Sequence, residues 1–584
     1  MFEEGYPRVL TIDLAGGVFE VSARPDLKPL LGGVGVGAKL LLENTDWNKD
    51  PLDPAQPAIF SIGPLSGVFP LATKVAAVFR SPLTGEWGES YAGMRSAMAL
   101  RFAGYDAVVI KGQAPRPTYL RIDQEGVAFR DARGLWGLDT EETGRLLREF
   151  EPGRGHRSIW RIGPAGENLV RFAGLNVDTF RHFGRLGLGA VLGSKNLKAI
   201  VVDGTKTYPI GDHKAYNAAY EAVYRQVVDT PVLAKYHQVG TGENVLHLNN
   251  IKSLPTKNLQ AGEFDAATAI SGETFGEASL TRIMACPGCP VGCIHIGIYR
   301  KRHPEGFGYI STYMAYDYEP IYALGPMLGL DSTDKVYAVL EAVEALGLDV
   351  ISTGVVLAWA TEALERGAIS ETQTLNPLRF GDEKGYIAAA QNLASQPNEF
   401  YRNLAKGLAF AASLYGGEDF ALTLGGHEMA GYHTGYGCLV GHSVGARHSH
   451  LCNSGCFYDQ KYGADFEDAD LVEFLINEEE KRNVLNSLVV CLFGRMVYKP
   501  EVIVAALNSI GFPATTEELR AAGRTIFKLK WEAKKRFGYS LDSIRIPRRY
   551  FETPSGAGLL KPERFQRLLQ LYREHLAAAL GESL

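Results

Sequence analysis

Across the first 210 residues apolar and polar positions alternate, the period of a half-buried strand. Arg8-Val-Leu-Thr-Ile-Asp13 and Val18-Phe-Glu-Val21, joined by Ala15-Gly-Gly17, predict a β-hairpin. Further strands are predicted at Tyr105-Asp-Ala-Val-Val-Ile110, Tyr119-Leu-Arg-Ile122, Val127-Ala-Phe129 and Leu197-Lys-Ala-Ile-Val-Val202. Only Asp139-Thr-Glu-Glu142, ahead of Leu146, Leu147 and Phe150, reads as a capped helix there. Beyond Asp212 the period lengthens. Val336, Val339, Leu340, Val343 and Leu346 form one helical stripe, and Leu471, Phe474 and Leu475 begin another after Asp470. The pattern predicts an α+β protein, with a β-rich domain over residues 1–210 and two mainly α-helical domains over 211–420 and 421–584. The second boundary rests on size and on the glycines of Leu424-Gly-Gly-His427.

Composition narrows the function classes. With 584 residues, 46% hydrophobic and 22% charged, the chain has room for more than one core. Its net charge of −6, with scattered Lys and Arg, offers no general attraction to nucleic acid. The start, Met1-Phe-Glu-Glu-Gly-Tyr6, lacks the basic and apolar segments of a secretion signal, and no apolar run approaches the roughly 18 residues of a membrane span. A cytoplasmic protein without membrane contact is expected. Seven cysteines in so long a chain are too few for a disulfide framework and suit metal ligation in a reducing compartment.

Three of those cysteines are packed into Cys286-Pro-Gly-Cys289-Pro-Val-Gly-Cys293, where prolines and glycines bend the backbone so that thiolates can converge. An iron–sulfur cluster, a zinc site completed by His295, and plain core thiols all fit this spacing. Another set of soft ligands, His448-Ser-His450-Leu-Cys452-Asn-Ser-Gly-Cys456, reads as a metal site, a loop facing a reaction pocket or a structural loop, and nearby Cys438 reads as a buried small residue. Gly32-Gly-Val-Gly-Val-Gly37 lacks the G-x-G-x-x-G order of a dinucleotide site and equally suits a helix start. In Gly184-Arg-Leu-Gly-Leu-Gly-Ala-Val-Leu-Gly-Ser-Lys-Asn196 the glycines serve either packing or a phosphate, which Arg181, Arg185 and Lys195 could meet.

Taken together, the chain resembles the tungsten-containing aldehyde:ferredoxin oxidoreductase family. The likeness lies in the order of Leu31-Gly-Gly-Val-Gly-Val-Gly-Ala38, Gly63-Pro-Leu-Ser-Gly67, Ser81-Pro-Leu-Thr-Gly85, Ala103-Gly-Tyr-Asp106, Ile162-Gly-Pro-Ala-Gly-Glu-Asn168 and Gly189-Ala-Val-Leu-Gly-Ser-Lys-Asn-Leu-Lys-Ala199. The resemblance implies that Cys286, Cys289, Cys293 and Cys491 ligate a 4Fe-4S cluster, and that the N-terminal domain binds a tungsten (or molybdenum) bis-pterin centre between itself and the helical domains. It maps the first pterin motif to Glu344-Ala-Leu-Gly347-Leu348-Asp349, with Glu where Asp is usual. The second, normally D-x-x-G-L-C, becomes Asn486-Ser-Leu-Val489-Val490-Cys491. On the phosphate side it implies Lys74, Tyr91, Arg181 and His182, with a magnesium ion bridging the pterin phosphates, and the glycine-rich run adds Gly184 and Arg185 as candidate cofactor contacts.

For chemistry the resemblance implies Glu319 and His450, with His448 a rival for the histidine. The expected reaction is oxidation of a small-molecule aldehyde to its carboxylic acid, with electrons leaving through the cluster to ferredoxin or a ferredoxin-like subunit. Two alternatives stay open: a relative turned to low-potential reduction, for example of an aromatic acyl thioester, and a non-enzymatic iron–sulfur or zinc protein. No E-x-x-H metal site stands near Ala338, so a homodimer would use other surfaces.

Overall fold

A computed structural model describes residues 6–582 apart from 154, 155, 209 and 304. Twelve strands build two six-stranded sheets in the first 204 residues. The first contains β1 (Arg8–Asp13), β2 (Val18–Ala23), β3 (Ala58–Ser61), β4 (Val75–Arg80), β5 (Trp87–Ala92) and β6 (Ala107–Lys111), in the order β2-β1-β6-β3-β4-β5. The second contains β7 (Thr118–Asp123), β8 (Gly126–Asp131), β9 (Ser158–Arg161), β10 (Leu175–Val177), β11 (Arg181–Phe183) and β12 (Leu197–Val202), in the order β11-β10-β9-β12-β7-β8. As the alternation predicts, β1 and β2 form an antiparallel hairpin.

Side-chain parity explains how the sheets stack. Leu10, Ile12, Phe60, Ala77, Phe79, Val108 and Ile110 face Leu120, Ile122, Trp160, Leu175, Val177, Ile200 and Val202 in one dry core. The intervening positions, among them Val9, Ile59, Val78, Ala107 and Val109, point the other way, into a core shared with Val34, Leu40, Leu41, Val484, Leu488, Leu507 and Ile526. The first sheet is therefore covered on both faces, one by strands and the other by helices distant in sequence. Tyr119, Ile159, Ala199 and Val201 on the second sheet pack against Leu147 of the helix Thr140–Phe150, whose N-cap Asp139 accepts from Glu142 N.

One expectation needs correcting and another needs an addition. The N-terminal region holds more than one helix, since Gly33–Asn44, Ser96–Ala103 and Leu188–Gly193 are also helical. The later region, though mainly helical, carries a three-stranded sheet of β13 (Leu280–Met284), β14 (Ile294–Arg302) and β15 (Tyr309–Tyr316). Its largest core runs from Ala165 to Leu576 around the helix Val350–Glu365, in which every residue from Ile351 to Ala363 is buried. That helix has no polar face, the mark of an element surrounded by protein.

The glycine-rich start of Gly33–Asn44 has a packing cause. A Cβ on Gly33 would collide with the carbonyl oxygen of Asn486, and one on Gly63 would come within 2.6 Å of the Leu488 backbone. These glycines let the end of the helix Asp468–Ser487 lie directly on the N-terminal domain.

Candidate active site

Two of the four expected cluster cysteines are anchored by the N-terminal domain. Cys286 Sγ accepts from the backbone N–H of Met94 at 3.2 Å, and Cys491 N–H donates to Leu71 O at 2.9 Å. Lys74 N–H donates to Val489 O at 3.3 Å, in the same segment as Cys491. Gly93 is required here, because a Cβ would sit 2.8 Å from Cys286 Sγ and 3.1 Å from Lys74 Nζ. Burial lowers the proton affinity of the Lys74 ammonium, but Cys491, Cys286 and Cys293 raise it by more, and the Arg181 guanidinium is raised against burial by Asp317, Cys293, Cys286 and Cys491. Two cations therefore stand beside three thiols.

Burial, reinforced by the neighbouring thiols, pushes Cys289 up to about 12, so it would not ionise near neutrality without a metal to replace its proton. Among the described residues, Cys438, His442 and Cys456 are the group whose ligand atoms all lie within 4.8 Å of one another. Cys286, Cys289, Cys293 and Cys491 do not form so close a group. Their apolar wall of Met94, Phe180, Ile294 and Ile296, their flanking cations and the N–H donor on Cys286 fit a cluster of several metals.

The first motif lies at a junction. Gly347, at φ 73°, ends the helix Thr333–Leu346, and Asp349 caps the next helix by accepting from Ile351 N and Ser352 N. Gly347 O accepts from Gly174 N at 2.9 Å, and Leu348 bridges to Ala173, which fixes the turn against the second sheet. Around it, His182 Nε2 stands 2.6 Å from Glu344 Oε2, and Arg185 Nε donates to Asp349 Oδ2 at 3.3 Å. Space opens in front of Gly184, where a Cβ would meet only Asp349 Oδ1, at 3.9 Å.

The second motif converges on Glu89. This buried carboxylate accepts from Trp87 Nε1 at 3.0 Å, Tyr91 OH at 2.7 Å and Asn486 Nδ2 at 3.4 Å, and pairs with Lys530 at 2.6 Å. The Arg447 guanidinium lies over the Tyr91 ring at 5.2 Å. Burial alone would raise Glu89, but Lys530 and Arg447 outweigh it and hold the carboxyl down at about 2. Between the two motifs, Arg185 Nη1, Arg447 Nε and His427 Nε2 are buried without a hydrogen-bond partner among the described residues. Buried polar atoms are rarely left so. Such a lining suits a polar cofactor with phosphate and ring nitrogens to offer.

Above this cradle, Glu319 sits in the first turn of the helix Tyr318–Leu324 and accepts from Tyr432 OH at 3.1 Å. His450 Nε2 lies 3.7 Å from Glu319 Oε1, and the two side chains keep 17% and 26% exposure. Burial and the neighbouring Asp317 push Glu319 up to about 7. Burial and His442 push His450 well down, so it is neutral, and its Nδ1 has no protein partner among the described residues. His448 lies elsewhere: Nδ1 faces His442 O at 3.1 Å, while Nε2 meets Lys534 Nζ at 3.1 Å and Glu86 Oε2 at 3.3 Å.

Several groups were invisible to sequence reasoning. Tyr432 had no motif to mark it. Lys530 and Lys534 did carry a signal, since they continue the buried stripe of Ile526 at helical spacing, where a lysine needs a partner. Lys195 turns away from any cofactor: its ammonium donates to Pro54 O and Gln56 O at 2.6 Å, and burial lowers it to about 7. The neighbouring glycines serve packing, as Gly193 lies against the carbonyl of Gly166.

Buried polar atoms left unpaired between two loops, with buried cysteines nearby, fit the class of proteins built around a bound polar cofactor. The chain belongs to the aldehyde ferredoxin oxidoreductase family. The family's N-terminal domain model matches residues 9–204, and the model of its domains 2 and 3 matches residues 218–576. The tungsten-containing aldehyde ferredoxin oxidoreductase of Pyrococcus furiosus is 32% identical over 574 residues, covering 94% of this chain and 92% of that protein. Its Thermococcus kodakarensis counterpart is 31% identical with the same coverage. The WOR-like subunit of an aliphatic sulfonate oxidoreductase from Pyrococcus furiosus is 31% identical over 398 residues, or 65% of this chain and 62% of that one. In fold the chain is similar to the active-site complex BamBC of benzoyl coenzyme A reductase, with a TM-score of 0.82 at 21% identity over 98% of this chain and 94% of that one. It is thus an oxidoreductase of a tungsten–pterin family. Among the described residues no helix is long and apolar enough to cross a membrane.

Proposed function

We propose that this protein oxidises an aldehyde to its carboxylic acid and passes the two electrons, one at a time, to ferredoxin or a ferredoxin-like subunit. The observation that carries this reading is Glu319, a carboxyl near neutrality, facing neutral His450 beside the unpaired polar lining. An aldehyde and a water become an acid, two protons and two electrons. When bound, a tungsten bis-pterin centre supplies the two-electron acceptor, and a 4Fe-4S cluster supplies the one-electron outlet.

Glu319, Tyr432 and His450 do the rest. In its ionised form Glu319 takes a proton from the water that supplies the new oxygen, and Tyr432 OH steadies that form by donating to Oε1. His450, with its proton on Nδ1, donates to the aldehyde carbonyl oxygen and orients it, while Nε2 stays on the Glu319 side. Glu344, Gly347, Leu348, Asp349, His182, Gly184 and Arg185 would hold one pterin. Asn486, Tyr91 and Arg447 would hold the other, with Lys74 and Arg181 between pterin phosphates, magnesium and thiols. Cys286, Cys289, Cys293 and Cys491 would hold the cluster.

Elemental analysis with EPR on anaerobically purified protein tests the cofactors. About four irons and one tungsten per chain are expected, and stoichiometric zinc with no iron would sink the proposal. Aldehyde-dependent reduction of a viologen dye tests the reaction. A protein that carries both metals yet reduces no dye with aliphatic or aromatic aldehydes would point to the low-potential reductive chemistry instead.

A further inference from the structure

The expected grouping of Cys452 with Cys456 does not form. Cys452 packs beside Gly445, where a Cβ would lie 3.0 Å from its sulfur. Cys456 instead meets Cys438 and His442, from the helix Tyr436–Val444. Cys438 and His442 stand one turn apart on that helix, and Cys456 lies in the first turn of the helix Gly455–Tyr462. The two helices touch backbone to backbone, since a Cβ on Gly437 would sit 2.6 Å from Gly455 O. This close crossing brings the three side chains together.

The distances are those of a metal site. Cys438 Sγ and Cys456 Sγ are 3.2 Å apart, too far for a disulfide, whose bond is about 2.0 Å. His442 Nε2 is 3.6 Å from Cys456 Sγ and 4.0 Å from Cys438 Sγ. A tetrahedral zinc with Zn–S near 2.3 Å and Zn–N near 2.0 Å sets S···N at about 3.6 Å and S···S at about 3.8 Å. Loading it would need only a small parting of the sulfurs. All three residues are buried, at 3%, 2% and 7% exposure for Cys438, His442 and Cys456. Among the described residues the two sulfurs are the only groups within hydrogen-bond reach of the His442 ring nitrogens. The frame is fixed from behind, because Asp459 accepts from the N–H groups of Gly437 and Cys438 and from the Thr434 hydroxyl. The Cys438 thiol donates to Tyr432 O at 3.2 Å, a contact that loss of its proton to a metal would release.

We propose that Cys438, His442 and Cys456 bind one zinc ion, a structural site separate from the redox cofactors. The ion would pin the segment that carries Tyr432 and His450, whose rings lie 4.7 Å apart, with the His442 ring 6.2 Å from that of His450. Two ligands come from one short helix and the third from the next, so the metal joins them as a staple.

Zinc measured in the anaerobic holoenzyme, after exchange into zinc-free buffer and again after zinc addition, tests the site. One zinc per chain is expected, falling below about a tenth in C438S/C456S while iron and tungsten stay unchanged. Zinc-edge X-ray absorption of the wild type should give two sulfurs near about 2.3 Å and one imidazole nitrogen near about 2.0 Å. This second measurement stands even if the double variant fails to fold. Three results would each overturn the proposal: no zinc after addition, a shell without two sulfurs, or a Cys438–Cys456 disulfide as the only species in alkylated peptides. None of them touches the iron, tungsten or viologen measurements.

Discussion

A carboxyl that sits at about 7 acts as a base only in the fraction that has lost its proton, so Glu319 ties turnover to pH with a definite sign. The rate at low aldehyde should rise as pH climbs through about 7 and level off above it. Tyr432 OH favours the ionised form, so Y432F should move the inflection upward; an unmoved inflection would separate Tyr432 from Glu319. E319Q should cost about 10²- to 10⁴-fold in turnover with iron and tungsten retained, and an unchanged rate would remove Glu319 from the reaction. At this scale the sequence reading was uneven. That Glu319 and His450 stand 3.7 Å apart had no local signature, because a lone Glu and a lone His carry none; the proposal of their roles came through family resemblance. Cys438 looked like a small core residue, although His442 four positions on was a metal-ligand spacing in plain view.

Between elements, the governing contacts join β5 to the helix Thr516–Arg536. Glu86 and Glu89 are both held at about 2, with Lys534 and His448 acting on the first, Lys530 and Arg447 on the second, against burial. Their folded values lie below the unfolded one of about 4.5, so their stabilisation is present above that pH and lost as pH falls toward about 2. Melting temperature should therefore drop steeply between those limits. K530M leaves Glu89 charged and buried without its nearest cation, and should cost about 3–5 kcal/mol in urea unfolding; a cost under about 1 kcal/mol would show that Arg447 suffices alone. G33A should cost about 1–3 kcal/mol, since its Cβ meets the Asn486 carbonyl, whereas G211A, with nothing within 4 Å, should be nearly silent. Strand alternation was readable in the first sheet, where one face is buried in each core. It failed for β14, whose burial fades from Ile294 to an exposed Lys301 and Arg302, leaving no regular period.

Across the whole molecule, composition gave globularity and the change of period near residue 210 gave the order of β before α. What no local pattern could give was the contact between the two ends of the chain. Gly33 and Gly63 lie on residues 486–488, and Leu71 and Lys74 hold the backbone on either side of Val490. With the proposed cluster bound by these segments, removing iron anaerobically should lower the melting temperature of the entire protein, not of one part; calorimetry that kept the upper transition in place would argue for independent domains.

The anchoring of Cys286 and Cys491 on the same N-terminal loops also orders events in time. Cys286, Cys289 and Cys293 leave the ribosome long before Cys491 does, and the glycines that receive residues 486–488 must wait, uncovered, for them. A nascent chain can thus offer three soft ligands but not the closed nest. Loading of the proposed cluster would then belong to the finished polypeptide, once the last helices have arrived.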